Sequence, residues 1–171
     1  DAIQSIDIHH DHEWGLDHGT WAVLCHVFPA ANIPVVQLSI DCSEGAQYHY
    51  DLAKQLAGLR RKGVLIVASG NLVHNLGRVA FDKMNHEYGF DWALEADQKM
   101  QNFLLERNHQ ALIDWDKQGT AFKLAIPTPD HYYPMIYALA LQEERDQLSL
   151  FNAKAVGGSL TMTSFRLDQS A

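Results

Sequence analysis

At 171 residues, 47% hydrophobic and 20% charged, the chain carries enough apolar side chains for one sizeable core over 1–171 and too many for a disordered segment. A formal net charge of −8 excludes a phosphate-binding surface, because the only basic run is Arg60, Arg61, Lys62, so no nucleic acid partner is expected. No stretch approaches the ~18 apolar residues of a membrane span, so no membrane partner is expected either.

The two cysteines, Cys25 and Cys42, sit in segments that look buried and show neither disulfide spacing nor a CxxC pair, which points to a reducing cytoplasm. The sequence opens at Asp1 without methionine, and the expectation is a processed or partial product.

Residues 1–17 are polar, and His9, His10 and His12 crowd together. Without a partner at helical i+4 spacing they read as a solvated loop rather than a metal site. A tight turn follows at 14–20, and residues 21–28 predict a helix with Asp17 or Thr20 as its cap and an apolar stripe of Trp21, Leu24, Val27 and Phe28. His18 then lies at the mouth of a helix N-terminus, where the dipole disfavours a positive charge. Hydrogen bonding within the turn would explain it equally well.

Residues 35–41 (VVQLSID) are dense in branched side chains and predict a strand, and 46–62 predicts a helix stopped by Gly63. Val64, Leu65, Ile66 and Val67 predict a second, buried strand. Strand, helix, strand is a βαβ unit, which favours a parallel pair with a right-handed crossover. The second strand ends at Ser69, Gly70 and Asn71, and His74 and Asn75 follow just beyond that turn. In open α/β sheets chemistry gathers at such junctions, although a satisfied core histidine is as good an account of His74 taken alone.

Residues 78–88 read as a loop. Two helices are predicted over 90–107 and 108–117, with Asn108 as the cap between them and with Trp92, Met100, Phe103, Leu104, Leu112 and Trp115 as core. The prolines in 127–134 force an extended approach to a helix running to about 141, with Asp130 able to cap it. His131 therefore sits at that helix start, as a metal-ready imidazole or as a packing residue beside Tyr132 and Tyr133. The charged stretch 142–146 reads as a solvated face, and 160–167 as a last strand whose alternation breaks near Ser164.

The stretches WGLDHGTW (14–21), IPVVQLSID (33–41), ASGNLVHNL (68–76), PTPDHYYPMIYAL (127–139) and GGSLTM (157–162), in that order and across nearly the whole chain, resemble the DOPA 4,5-dioxygenase family. These are class III extradiol ring-cleaving dioxygenases, related to the protocatechuate 4,5-dioxygenase catalytic subunit. The resemblance implies a layered α/β/α fold with a central mixed or mostly parallel sheet. It also implies an oxidoreductase that inserts O2 into a catechol ring, DOPA-like or a related phenolic, at a non-haem Fe(II) centre, with Zn(II) as the other resident metal of the family.

By the same resemblance His131 matches a metal ligand. His74 matches a position that serves as catalytic acid/base or as a further ligand, and His18 matches an active-site histidine near the substrate. The chemistry is consistent with this. Ring opening needs a metal with open positions for catechol and O2, and a neutral base to take and return a phenolic proton. Two further metal-binding histidines of the family lie in Gly-His-Gly and Ser-Ala-His-Trp contexts, and neither occurs here. The resemblance therefore implies that an N-terminal portion, with the first strands, is absent, and that binding through His74 and His131 alone is weak. A zinc-binding relative without oxygenase activity, and a non-catalytic fragment with structural histidines, remain the alternatives.

Overall fold

A computed structural model describes residues 2–169. Asp1, on which the expectation of a processed or partial product rests, lies outside the described residues.

Helical periodicity builds the core. Helix α1 spans His18–Val27, α2 Ala46–Lys54, α3 Ala57–Arg60, α4 Asp91–Leu105, α5 His109–Ile113, α6 Thr120–Ala125 and α7 Tyr133–Ala140. Along α4, Ala93, Ala96, Met100 and Leu104 recur at three- and four-residue steps and are buried, so one stripe faces inward. That stripe packs with Leu112 and Ile113 of α5, Ala121, Phe122 and Ala125 of α6, and Tyr133, Ile136 and Leu139 of α7. A smaller cluster joins Ile3, Leu52, Ala53 and Tyr137, tying the start of the chain to α2 and α7.

The predicted helix over 46–62 is present as α2 and α3, separated by a turn, and Gly63 takes φ 75° as the stop. Asn108 caps α5 through its side-chain oxygen, which accepts from the Ala111 N–H at 3.2 Å. Helix α6 and the strand that opens the C-terminal ribbon go beyond the elements that the sequence predicts. That ribbon pairs β1 (Asp146–Phe151) antiparallel with β4 (Ser164–Gln169), in register Asp146↔Gln169 to Phe151↔Ser164. A second, shorter pair joins β2 (Ala155–Val156) and β3 (Leu160–Thr161). The break near Ser164 is real: it divides the predicted last strand into β3 and β4.

The β and α elements are thus mixed, but the layered central parallel sheet is not seen among the described residues. Residues 35–41 and 64–67 form no strand, so the βαβ unit is not built. Their side chains are not buried either: Val36 is 93% exposed and Leu65 69%. Branched residues favour an extended chain, but a strand also needs a neighbouring backbone to complete its ladder, and the described residues supply none to these two segments.

The apolar stripe of α1 is likewise uncovered. No residue of that helix is buried, and Trp21 is 55% exposed. Cys25 and Cys42 are exposed free thiols, not buried ones. The 142–146 segment is not simply a solvated face, because Asp146 is fully buried in an ion pair with Arg60. Among the described residues no helix is long and apolar enough to cross a membrane.

One buried histidine explains how α2 is pinned to α7. His49 Nε2 lies 3.1 Å from the Asp41 carbonyl, which only accepts, so Nε2 carries the proton. Nδ1 then accepts from the Tyr137 hydroxyl at 3.0 Å, and burial pushes that phenol up to about 12, which keeps it a donor. Burial also lowers the His49 pKa below its usual 6.5. A lowered folded-state value means the unfolded chain binds the proton more tightly. The His49 contribution is therefore complete above pH 6.5 and is lost as pH falls from there toward the folded value. We expect the melting temperature to decline across that interval, and to do so less steeply in His49→Leu, as read by circular dichroism.

Candidate active site

Two loops meet at the end of the core. The first carries Ser69 to Asn75 out of the extended segment at 64–70. The second is a 3-10 turn, Pro129–His131, that leads into α7. Their junction is fixed by backbone contacts: the Asn71 N–H donates to the His131 carbonyl at 2.9 Å, and the His74 N–H donates to the Ala125 carbonyl at 2.9 Å.

Gly70 makes the approach possible. A Cβ built there would collide with the His131 carbonyl oxygen and lie 3.2 Å from the Pro134 ring. Gly70→Ala should therefore push the loops apart at a cost of about 1–3 kcal/mol, as in overpacked cores, measurable as a loss of denaturation midpoint.

From the other side, β3 and the turn before it hold the same loop. Asn75 N–H donates to the Ser159 carbonyl at 3.1 Å, Thr161 N–H donates to the Val73 carbonyl at 3.1 Å, and His74 forms a β-bridge with Leu160. The Asn71 side-chain amide donates to the Thr161 carbonyl at 2.8 Å. Behind that strand, the buried Asp97 carboxylate accepts from the Thr161 and Thr163 hydroxyls at 2.8 and 2.9 Å. No feature of the sequence pattern singles out Asp97; only its burial on α4 reveals the role.

The outcome is a pair of histidine rings. His74 and His131 stack with centroids 3.7 Å apart and planes 8° from parallel. His131 Nδ1 lies 2.5 Å from Asp130 Oδ2. A carboxylate only accepts, so Nδ1 carries a proton, and Nε2 is the ring nitrogen left for another partner. Donation from the Thr128 hydroxyl, assisted by His131, holds the Asp130 carboxyl below its usual range and keeps it an acceptor. Burial, followed by the neighbouring His131, lowers His74, so its ring favours the neutral form. Asp130, able by its position to cap α7, makes no side-chain cap there and orients His131 instead, the arrangement in which a histidine ligand is held by a carboxylate behind it.

His18 is the first residue of α1, and Asp17 caps that helix by accepting from the Thr20 N–H at 2.9 Å. Its neighbour Gly19 packs near the Ser69 hydroxyl, so the α1 start faces the same loop. The exposed His18 ring makes no ring contact with His74 or His131. His9, His10 and His12 are also exposed, with His10 and His12 stacked at 6.2 Å.

The donor chemistry of the pair suits a divalent transition metal, since neutral imidazole serves both iron and zinc. The count does not suffice alone. Catalytic zinc and non-haem iron sites use three protein ligands, and among the described residues no group of three or more His, Cys, Asp or Glu side chains is arranged to hold an ion. An ion also lies near the plane of an imidazole that binds it, so two parallel rings share one only after a ring tilts. His74 and His131 fit as part of a ligand set.

Comparison with known proteins gives these residues their context. Residues 2–162 match the family model described as the catalytic LigB subunit of aromatic ring-opening dioxygenase. The chain belongs to that family. It is 36% identical over 158 residues to the 4,5-DOPA dioxygenase extradiol of Escherichia coli (strain K12), an alignment covering 90% of this chain and 57% of that protein. It is 31% identical to the protein of the same description from Beta vulgaris, covering 91% of this chain and 57% of the relative. A crystal structure of an uncharacterized Escherichia coli K12 protein superposes with a TM-score of 0.77 at 33% identity, over 89% of this chain and 62% of the other. The chain thus spans a little over half the length of the curated relatives it matches.

Proposed function

We propose that the chain contributes the His74 and His131 loops of a metal-dependent extradiol dioxygenase that opens a catechol ring with O2. The observation that carries the reading is the His131 ring, its tautomer set by Asp130 at 2.5 Å and its free Nε2 beside a second neutral imidazole. Family membership supports the reaction class, and the relatives' description as 4,5-DOPA dioxygenases supports a DOPA-like catechol or related phenolic as substrate.

In this reading His131 is the residue of this chain that would hold Fe(II) or Zn(II), and His74 is either a further ligand to the metal or the catalytic acid/base beside it. The metal would supply Lewis acidity to a bound catechol oxygen and open positions for its second reactant. The chain's own part is proton management and orientation. Where it serves as acid/base rather than as a ligand, His74, whose pKa burial lowers, takes a phenolic proton at its basic ring nitrogen and returns it later. Asp130 fixes the His131 ring. His18, at the α1 start over Ser69, is the third histidine of the proposal, an acid/base or orienting group near the substrate.

One observation favours a second reading. The chain brings together two histidines rather than three or more candidate ligands among the described residues, which suits a metal-binding relative without oxygenase activity, or a non-catalytic fragment. Oxygen uptake separates them. Protein supplied with Fe(II) and given a catechol consumes oxygen in proportion to substrate under the first reading. Under the second it does not, whatever metal it retains.

A further inference from the structure

An open hollow of about 350 Å³ is lined by Gly77, Arg78, Phe90 and Trp92. We propose that it is a recognition subsite for a carboxylate borne on an aromatic substrate, with the Arg78 guanidinium as its anchor. The inference rests on the proposed function, because it assigns a subsite to that substrate.

The placement follows from the backbone. Phe90 N–H donates to the Gly158 carbonyl at 2.8 Å, Asn75 N–H donates to the Ser159 carbonyl, and His74 bridges to Leu160. Phe90, Asn75 and His74 are therefore seated on three consecutive residues, Gly158, Ser159 and Leu160, of the segment that leads into β3. Gly158 takes φ 82°, and a Cβ there would strike the Phe90 ring at 2.6 Å, so the ring packs directly against the glycine backbone. The Leu76–Arg78 turn then brings Arg78 back from His74. Four residues span at most about 14 Å when extended, and the turn shortens that. The backbones of Arg78 and His74 are therefore no more than about 14 Å apart.

The chemistry selects the ligand class. Of the six arginines, Arg60, Arg61 and Arg166 pair with carboxylates, Arg107 donates to backbone carbonyls and Arg145 is engaged. Arg78 is the arginine whose side chain has no hydrogen-bond or ion-pair partner among the described residues. Its planar fork matches a carboxylate in two-pronged fashion. Beside it Phe90 and Trp92 stack at 6.1 Å and 22°, an apolar wall suited to the ring or the methylenes of the same molecule. A chain of net charge −8 repels anions at long range, so an anionic substrate needs a local cation of this kind. The other hollow, at Ser149, Leu150, Phe151 and Arg166, lacks the feature, because Asp168 already neutralises its arginine at 2.7 Å.

The test uses 3-phenylpropanoate and 3-phenylpropanamide, which carry no ring hydroxyls, so its outcome does not depend on metal or turnover. NMR titration of the 171-residue chain should shift the Arg78 Nε–H and Trp92 indole signals with the acid, bound about tenfold tighter than the amide. Arg78→Met should equalise the two probes, and Arg78→Lys should restore part of the preference. Equal binding of acid and amide by the unsubstituted chain, an unchanged preference in Arg78→Met, or the same shifts with inorganic phosphate at equal concentration would overturn the subsite. Failure of the dioxygenase reading shows separately, as absent oxygen uptake with catechol.

Discussion

His131→Ala is expected to abolish metal retention, whereas His74→Gln is expected to impair turnover more than retention. The difference follows from how each ring is held. Asp130 holds His131 through Nδ1 and leaves Nε2 for a metal, so deleting the ring removes a ligand together with the carboxylate's purpose. Losing such an outer carboxylate alone weakens metal sites by roughly 10–100-fold, and Asp130→Asn should fall in that range with His131→Ala beyond it. His74 is kept neutral by burial and by its neighbour, the state a base requires. Losing a positioned acid/base costs about 10²–10⁴-fold in rate. Elemental analysis after dialysis and initial rates of oxygen uptake separate the two roles. Equal metal loss in both variants would make His74 a ligand first.

The second large effect concerns stability. Asp146→Ala should destabilise the fold by about 3–5 kcal/mol, the usual consequence of stripping one partner from a buried ion pair. Arg60 grips the Asp146 carboxylate with both terminal nitrogens, at 2.6 and 2.9 Å, and also donates to the Leu141 carbonyl at 2.6 Å. Oδ2 further accepts the Glu143 N–H at 2.7 Å, and Arg107 donates to the Asp146 carbonyl. These contacts join the end of α3 to the passage from α7 into β1, so without the carboxylate a largely buried guanidinium is left without its counter-ion. Arg60 lowers the Asp146 pKa below its usual 3.8. With the folded value depressed, this stabilisation is complete above pH 3.8 and disappears as pH falls through the folded value. Urea melts should show the wild-type advantage over Asp146→Asn shrinking as the pH is taken below that value.

What the sequence reveals depends on whether a residue's role is local. Asp17 and Asn108 act as caps because a cap needs only the next three residues, and the stripe along α4 lies where its spacing predicts. The histidine pair is legible as two separate junctions, each beside a turn, but nothing in the spacing says that rings 57 residues apart in sequence come to 3.7 Å. Asp97 and Asp146 escape notice for the same reason: each looks like a solvated charge until its distant partners close around it. Segments 35–41 and 64–67 fail in the opposite sense. Their composition asks for a sheet, yet strand formation is settled by a neighbour, and periodicity carries no information about where that neighbour comes from.

The claim that most needs a direct test is that metal enters through His131 and His74 rather than through the more numerous exposed histidines. Titration of the ¹⁵N-labelled chain with Zn(II), followed through the histidine ring signals, provides it. The account predicts that His131 and His74 respond first and together, their rings leaving the stack, before His9, His10, His12 or His18 changes. Responses confined to His9, His10 and His12, with the stacked pair unmoved, would contradict it.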